Sequence, residues 1–167
     1  YKVNTSREEI LIYGSEAIKS LLDLKILTAE TIFNKLKPGE MAVESFRFKQ
    51  GPENIIYGFV NFKKNANNQI QLIVNNNGWY LENAGFKTYF NNMTAKVGES
   101  ESYNLYFKPL ENIFSSNATT YFSPAGIYNK INLRSLQTPD GKYIKDSYNI
   151  RYITGLDEIT KVGIPAT

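Results

Sequence analysis

Ser123 is the residue of this sequence best placed to act as a nucleophile. It ends the short apolar run "TTYFS", and α/β enzymes often carry their chemistry at the ends of strands. A serine needs a neighbouring base to take its proton, and no base stands at a recognisable spacing from Ser123. The stretch Ser123-Pro124-Ala125-Gly126 therefore predicts a turn that reverses the chain, with the serine hydroxyl bonded locally. A second strand segment is expected beyond it.

The chain contains no cysteine and no histidine among its 167 residues. Within this chain, that composition excludes Cys-His dyads, Ser-His-Asp triads, zinc sites with Cys or His ligands, and disulfides. Serine and threonine hydroxyls are plentiful, but none has a partner base at a recognisable spacing. Peptide-bond hydrolysis by a thiolate and an imidazole is therefore impossible for this chain alone.

Acidic residues offer little more. Asp140-Gly141 supplies one acid and one glycine, far fewer oxygen ligands than calcium takes, so a hairpin turn is the better interpretation. Asp157 and Glu158 are adjacent and diverge on any regular element, which favours a solvated surface. We assign no catalytic, cofactor-binding or metal-binding residue and expect no cofactor. A hydrolase that uses only Asp and Glu ranks last among the functions considered.

Trp79 and Tyr80 follow the polar run "NNNG". Exposed aromatic rings there would form a stacking platform for a sugar or a base. More often such rings anchor a helix to a sheet, and this is the interpretation that we favour.

The charge pattern argues against two classes of partner. The net charge of +3 is spread along the chain, and no block of Lys or Arg exceeds two residues. Electrostatic support for nucleic-acid binding is therefore weak. No apolar run approaches the roughly 20 residues of a membrane span. We expect neither a nucleic acid nor a membrane as partner, and the cytoplasm is the favoured compartment.

The N-terminal part predicts two helices. In "NTSREEILIYGSEAIKSLLDLKI" an apolar stripe recurs at helical intervals, formed by Ile10, Tyr13, Ala17, Ile18, Leu21 and Leu22. A second, short helix, "TAETIFNKL", is capped by Thr28 and stops before Lys37-Pro38-Gly39. Such stripes mostly mark a core or a contact between helices.

From Glu40 the apolar period changes to two. The runs "EMAVESFRFKQ" and "NIIYGFVNFKK" predict a hairpin, and "IQLIVNN" adds a third strand. This antiparallel meander is expected to be open to water on one side.

Helices and parallel strands are predicted for the remainder. "GWYLENAGFKTYFNNM" predicts a helix, as does "ESYNLYFKPLENIFSSN", where Pro109 should kink the helix or mark a restart. "TTYFSP" has the length and apolar content of a strand covered on both faces. The motif "TPDGKY" is a turn signal, in which Asp140-Gly141 supplies positive φ values, and "SYNIRYITG" predicts another strand. The tail "LDEITKVGIPAT" has no strong pattern.

Four stretches resemble, in order and spacing, successive blocks of the CHAT domain. They are "LKPGEMAVESFRF", "YNLYFKPLENIF", "YFSPAGIYNKINLRSL" and "TPDGKYIKDSYNIRYITG". This family is a caspase-like cysteine peptidase module, often found after tetratricopeptide-type helical repeats. The resemblance covers roughly residues 28 to 156. It implies an α/β fold with α+β character in its N-terminal part: N-terminal helices, an antiparallel β-meander, then the first part of a caspase-like sheet.

The sequence also departs from the family pattern. Ala125 stands where the family commonly has an acidic residue, and Asn132-Leu133 replaces Pro-Phe. Pro124 and Gly126 preserve the turn. The blocks that carry the family's catalytic His and Cys are missing, so the resemblance is to the N-terminal half of the module. It implies a helical lead-in at 1–36, such as the end of an upstream repeat region, and the CHAT portion at 37–167.

The resemblance implies a non-catalytic portion of a caspase-like peptidase. This portion would supply scaffold and part of the substrate-site wall, with the catalytic His and Cys outside this chain. The expected partners are the remaining C-terminal half of the domain or another protein chain, upstream helical repeats, and a peptide substrate of the complete protein. The strand "TTYFSP" would then lack a neighbour on one side. The alternative is an interaction module that binds a peptide or a glycan and has no peptidase role.

Overall fold

A computed structural model describes residues 27–95 and 100–160. Within these residues the fold is α/β, with helical segments packed on a mixed sheet of five strands in the order β3-β2-β1-β4-β5. The strands are β1 (Met41–Lys49), β2 (Ile55–Lys63), β3 (Gln69–Asn75), β4 (Thr119–Ser123) and β5 (Asn149–Tyr152).

The helix α1 (Ala29–Lys35) precedes the sheet, as predicted. The Thr28 hydroxyl accepts a hydrogen bond from the Thr31 amide at 3.2 Å and thereby caps the helix. Phe33 packs edge-on against Phe62 of β2, with ring centroids 5.8 Å apart. The earlier predicted helix, "NTSREEILIYGSEAIKSLLDLKI", lies outside the described residues.

The first three strands form the predicted antiparallel meander. Ser45 lies opposite Phe59, which in turn lies opposite Ile73. One face of the meander is buried against the helices. On the other face α1 packs against Phe62, and the remainder is largely exposed, as expected, although it carries Phe46 and Leu72 rather than polar side chains.

β4 is parallel to both of its neighbours. Phe122 pairs with Val43 of β1 on one side and with Tyr152 of β5 on the other. The parallel arrangement is therefore confirmed, while the prediction that "TTYFSP" lacks a neighbour is wrong. The sheet of the described residues ends instead at β3 and at β5. β5 lies within "SYNIRYITG", so the strand predicted there is confirmed.

Two helical stretches cover the buried face, both as predicted. The first consists of α2 (Gly78–Tyr80), a π-helix (Leu81–Gly85) and α3 (Phe86–Ala95). The second combines a π-helix (Tyr103–Phe107) with a 3-10 helix (Lys108–Ile113). Pro109 stands in the first turn of this 3-10 helix, so it marks the expected restart.

The chain beyond β4 departs from the prediction. Instead of a second strand segment it forms two 3-10 helices, Gly126–Asn129 and Leu133–Ser135. The backbone of Gly126 is left-handed (φ 56°), and the Asn132 side chain caps the second 3-10 helix at the Arg134 amide, so neither end continues as a strand. The segment was misjudged because its apolar residues point inward from turns rather than from a pleat.

The remaining C-terminal elements are short. The predicted turn is present, but only Gly141 (φ 82°) has a positive φ, not Asp140. α4 (Ile144–Ser147) and α5 (Asp157–Thr160) were not predicted. Each contains a single helical turn, which is too short to show a helical apolar period.

The sheet separates two apolar clusters. The larger one combines β-strand residues such as Phe59 and Phe122 with residues of the helical layer such as Leu110 and Tyr128. The smaller one lies on the opposite face, where α1 and α5 cover β1 and β4; its buried members are Ile32, Leu36, Ala42, Tyr121, Leu156 and Ile159. One sheet therefore supports packing on both faces.

Candidate functional site

A cavity of about 620 Å³ lies beyond the carboxyl ends of β4 and β5. Pro124, which follows β4, and Tyr152, which ends β5, both line it. In open α/β sheets, ligands bind outside the carboxyl ends of parallel strands. The volume falls within the range of about 300–1,000 Å³ that is typical of small-molecule and side-chain pockets. Position and size together make this cavity the candidate site.

Two tyrosine hydroxyls fix the segment that forms the cavity wall. The Asn132 amide donates to the Tyr89 hydroxyl at 3.1 Å, and the Leu133 amide donates to the Tyr152 hydroxyl at 2.9 Å. Burial raises the pKa of Tyr152, so its hydroxyl keeps its proton at neutral pH and does not serve as a base. These hydroxyls therefore position the wall.

A network of hydrogen-bonded polar side chains fixes the start of the same segment. The Ile127 amide donates to the Tyr57 hydroxyl at 2.7 Å, and that hydroxyl donates to Glu82 Oε1 at 2.6 Å. Arg47 binds the Glu82 carboxylate through two nitrogens, at 2.5 Å and 2.7 Å. The paired geometry makes this a strong, directional contact between β1 and the helical layer.

The electrostatics of the network follow from this geometry. Hydrogen bonding to Arg47, and then to Tyr57, holds the pKa of Glu82 below its usual value. Burial, and then the bond to Glu82, raises the pKa of Tyr57 to about 12. Glu82 is thus a carboxylate and Tyr57 a neutral donor over the physiological range.

The cavity wall is cationic. Lys130, Arg134 and Lys145 line it, and no carboxylate does. Lys130 Nζ lies 5.6 Å from the centre of the Phe86 ring, and Lys145 Nζ lies 5.2 Å from that of Tyr143. Side chains of this kind suit a ligand that presents carboxylate or carbonyl oxygens. The same wall offers no activated nucleophile.

Comparison with known proteins does not assign the chain to a family. No family model matches the chain, and no curated protein matches it either. The functional argument therefore depends on the site itself.

Ser123 does not line the cavity. The residue is only 2% exposed, and its hydroxyl donates to Glu44 Oε1 at 2.9 Å. The prediction of a local hydrogen bond is wrong, because the partner is supplied by β1, 79 positions away in sequence. Burial raises the pKa of Glu44. The pair has the composition of a nucleophile and a base, but a buried serine is closed to substrate and ties β4 to β1 instead.

The predicted acidic positions do not converge. Asp140 lies in the Thr138–Lys142 turn and forms an ion pair with Lys142 at 3.1 Å. Asp157 and Glu158 begin α5, and the Glu158 carboxylate accepts a hydrogen bond from the Thr154 amide at 3.0 Å. Over residues 27–95 and 100–160, no group of three or more metal-ligating side chains comes together.

Trp79 and Tyr80 do not anchor their helix. They are 43% and 40% exposed, whereas the next residue, Leu81, is buried in the larger cluster. The favoured anchoring interpretation is therefore wrong. Their backbone enters α2 close to β2, since a side chain at Gly78 would overlap the Ile55 carbonyl. This entry angle turns both rings toward solvent.

The sequence contained few signals for the cationic wall. Lys130, Arg134 and Lys145 are separated by three and ten intervening residues, and only the turn and the two short 3-10 helices bring them together.

In the part of the chain that the structure describes, no helix is long and apolar enough to cross a membrane.

Proposed function

We propose that this chain is the non-catalytic N-terminal portion of a caspase-like cysteine peptidase of the CHAT kind. It would supply scaffold and part of the substrate-site wall, while the catalytic His and Cys come from outside it. The observation that carries the proposal is the cavity at the carboxyl ends of two adjacent parallel strands, next to a sheet edge, in a chain without Cys or His.

The β5 edge gives the missing part a place to join. β4 pairs with β1 and β5, and β5 is the last strand of the sheet in the described residues. A further parallel strand that pairs with β5 would place its carboxyl end at the same rim as Pro124 and Tyr152. A nucleophile at the end of that strand would face the cationic wall, which would bind the peptide.

The test starts from the gene. A region after Thr167 that encodes a His-Gly strand end and then a Cys strand end supports the proposal, and a downstream region without them contradicts it. Peptide hydrolysis is then measured for this chain alone, for the encoded second part alone, and for both together. Turnover only in the combined sample, lost when the downstream Cys is replaced by Ala, is the expected result. Robust turnover by this chain alone would refute the proposal.

A second candidate function is supported by the exposed aromatic pair. Trp79 and Tyr80 are available to stack on a peptide or a glycan, which fits an interaction module without a peptidase role. Trp79 is the only tryptophan, so its fluorescence reports binding directly. Peptides and oligosaccharides are titrated against the chain. Saturable quenching of Trp79 fluorescence that is lost in a folded Tyr80→Ala variant supports this function. Titrations without any fluorescence change exclude it.

A further inference from the structure

The exposed side of the meander is an unusually apolar sheet surface. We call it the apolar face and define it by its five most exposed large side chains: Phe46, Phe48, Ile70, Leu72 and Val74. Their exposed fractions range from 40% to 63%. The cross-strand positions between them are occupied by Ile56, Gly58 and Val60. None of these eight positions carries a charge.

We expect another element or molecule to pack on this surface. Globular chains rarely leave a contiguous apolar patch of several large side chains in water. β3 also lies at the edge of the sheet and has no charged residue, so it lacks the usual protection against pairing with other chains. The opposite face of the same strands is covered, since Ile73 packs against the larger cluster.

We propose that residues 10–22 of this chain cover the apolar face. In the sequence, these residues carry the stripe formed by Ile10, Tyr13, Ala17, Ile18, Leu21 and Leu22. Aliphatic residues dominate the stripe, and they also dominate the surface formed by β2 and β3. A helix with an apolar stripe is stabilised mainly by the packing of that stripe against another element.

The chain joins the described fold at the correct place. Leu27 and Phe62 both pack against the smaller cluster, which lies on the same side of the sheet as the apolar face. Phe62 lies two positions after Val60 along β2, so the two side chains are neighbours on that face. The segment that precedes Leu27 therefore starts beside the surface that it would cover.

Reach and width are compatible as well. Leu27 follows Leu22 by five positions, a link that spans up to about 17 Å. Thirteen residues of helix are about 20 Å long, close to the length of a seven-residue strand. Three strands spaced by about 4.8 Å are about 10 Å wide, which matches the diameter of one helix. The covalent tether also gives the segment a local advantage over a separate molecule.

Single thiols test this arrangement, because the natural chain has no cysteine. Leu72→Cys places the thiol on the apolar face. Gln71→Cys is the matched control, because Gln71 is also exposed and is adjacent to Leu72 in the same strand but points to the opposite face. The rate of maleimide alkylation is measured on the full chain. We expect the thiol at position 72 to react at least about tenfold more slowly than the one at position 71.

A second pair of variants identifies the cover. Ile18→Asp with Leu21→Asp, added to Leu72→Cys, should restore fast alkylation because two carboxylates cannot be buried on the apolar face. Lys19→Asp changes the net charge by the same two units on the opposite side of the predicted helix and should leave the protection intact. The Gln71→Cys rate, measured with each change, verifies that the sheet is still folded.

Three results would overturn the proposal. Equal rates at positions 71 and 72 would mean that the apolar face is open. Protection that survives Ile18→Asp with Leu21→Asp would assign the cover to another part of the chain. Protection that disappears on dilution would assign it to a second copy.

Discussion

Gly126 is the residue on which the geometry of the cavity wall depends most. Its backbone is left-handed, and a Cβ there would overlap the Tyr57 hydroxyl and lie 2.7 Å from Arg47 Cδ. The same hydroxyl accepts the hydrogen bond that the Ile127 amide donates. A residue without a side chain is thus required by the contact as well as by φ.

Gly126→Ala should lower the free energy of unfolding by about 2–4 kcal/mol, from a left-handed strain of about 1–2 kcal/mol and the loss of a buried hydrogen bond. Gly141→Ala is the control: its φ is 82°, but nothing lies within 4 Å of its Cβ. This variant should lose only the strain of about 1–2 kcal/mol. Urea titration measures both. Equal losses would contradict the role assigned to the Tyr57 contact.

Glu82 and Glu44 should give opposite pH dependences. The pKa of Glu82 is lowered in the folded chain, so its stabilising effect is present above the unfolded value of about 4.3 and is lost as the pH falls through the folded pKa. The pKa of Glu44 is raised by burial, so its effect is fully present below the unfolded value and is lost as the pH rises through the folded pKa.

The stability difference between the natural chain and Glu82→Gln should therefore shrink as the pH drops below about 4.3. The difference from Glu44→Gln should instead shift in favour of the natural chain as the pH falls from neutral. Urea titrations at several pH values measure both differences. If both stability differences changed in the same direction with pH, one of the two carboxylates would be assigned the wrong environment.

At the scale of elements, the 3-10 helix Leu133–Ser135 is held to β5 by the Tyr152 hydroxyl. Tyr152→Phe removes the acceptor of the Leu133 amide. Because one hydrogen bond contributes about 1 kcal/mol, we expect the hydrogen-exchange protection of the Leu133 amide to fall about fivefold. Tyr143→Phe is matched, because Tyr143 is 41% exposed against 40% for Tyr152 and lines the same cavity. Unchanged protection at Leu133 in Tyr152→Phe would remove this anchor from the site.

The sequence predicted the elements with strong periodicity and missed those set by distant partners. α1 was predicted from Thr28 and its apolar residues, and the meander from a period of two, because both signals are local. The 3-10 helix Gly126–Asn129 was taken for a strand because Tyr57, which fixes its start, is 70 positions from Ile127 in sequence. The Glu44 partner of Ser123 was missed for the same reason.

The site was less predictable than the fold. Local pattern identified the turn after β4, yet the cations of the cavity wall follow from how the 3-10 helices fold back. Trp79 and Tyr80 were predicted to anchor a helix to the sheet, while the close approach of Gly78 to Ile55 turns them outward. Side-chain direction at helix ends depends on backbone contacts that no apolar period encodes.

At the scale of the whole molecule, the sheet couples its two faces. Trp79 reports on the helical layer of the larger cluster, whereas Leu36 belongs to the smaller cluster on the other face. Both clusters contain residues of β1 and β4, since Val43 and Phe122 face one way while Ala42 and Tyr121 face the other. Loss of packing on one face should therefore destabilise the strands that the other face needs.

Leu36→Ala should lower the free energy of unfolding by about 2–5 kcal/mol, and the transition of Trp79 fluorescence should shift with that of circular dichroism to the same urea concentration. Asn34→Ala is the control, because Asn34 is an exposed residue of the same helix. A Trp79 transition that keeps its midpoint while circular dichroism changes early would show that the faces unfold separately. In that case the helical layer and the cavity wall would not depend on α1, and a partner bound to one face would leave the other unaffected.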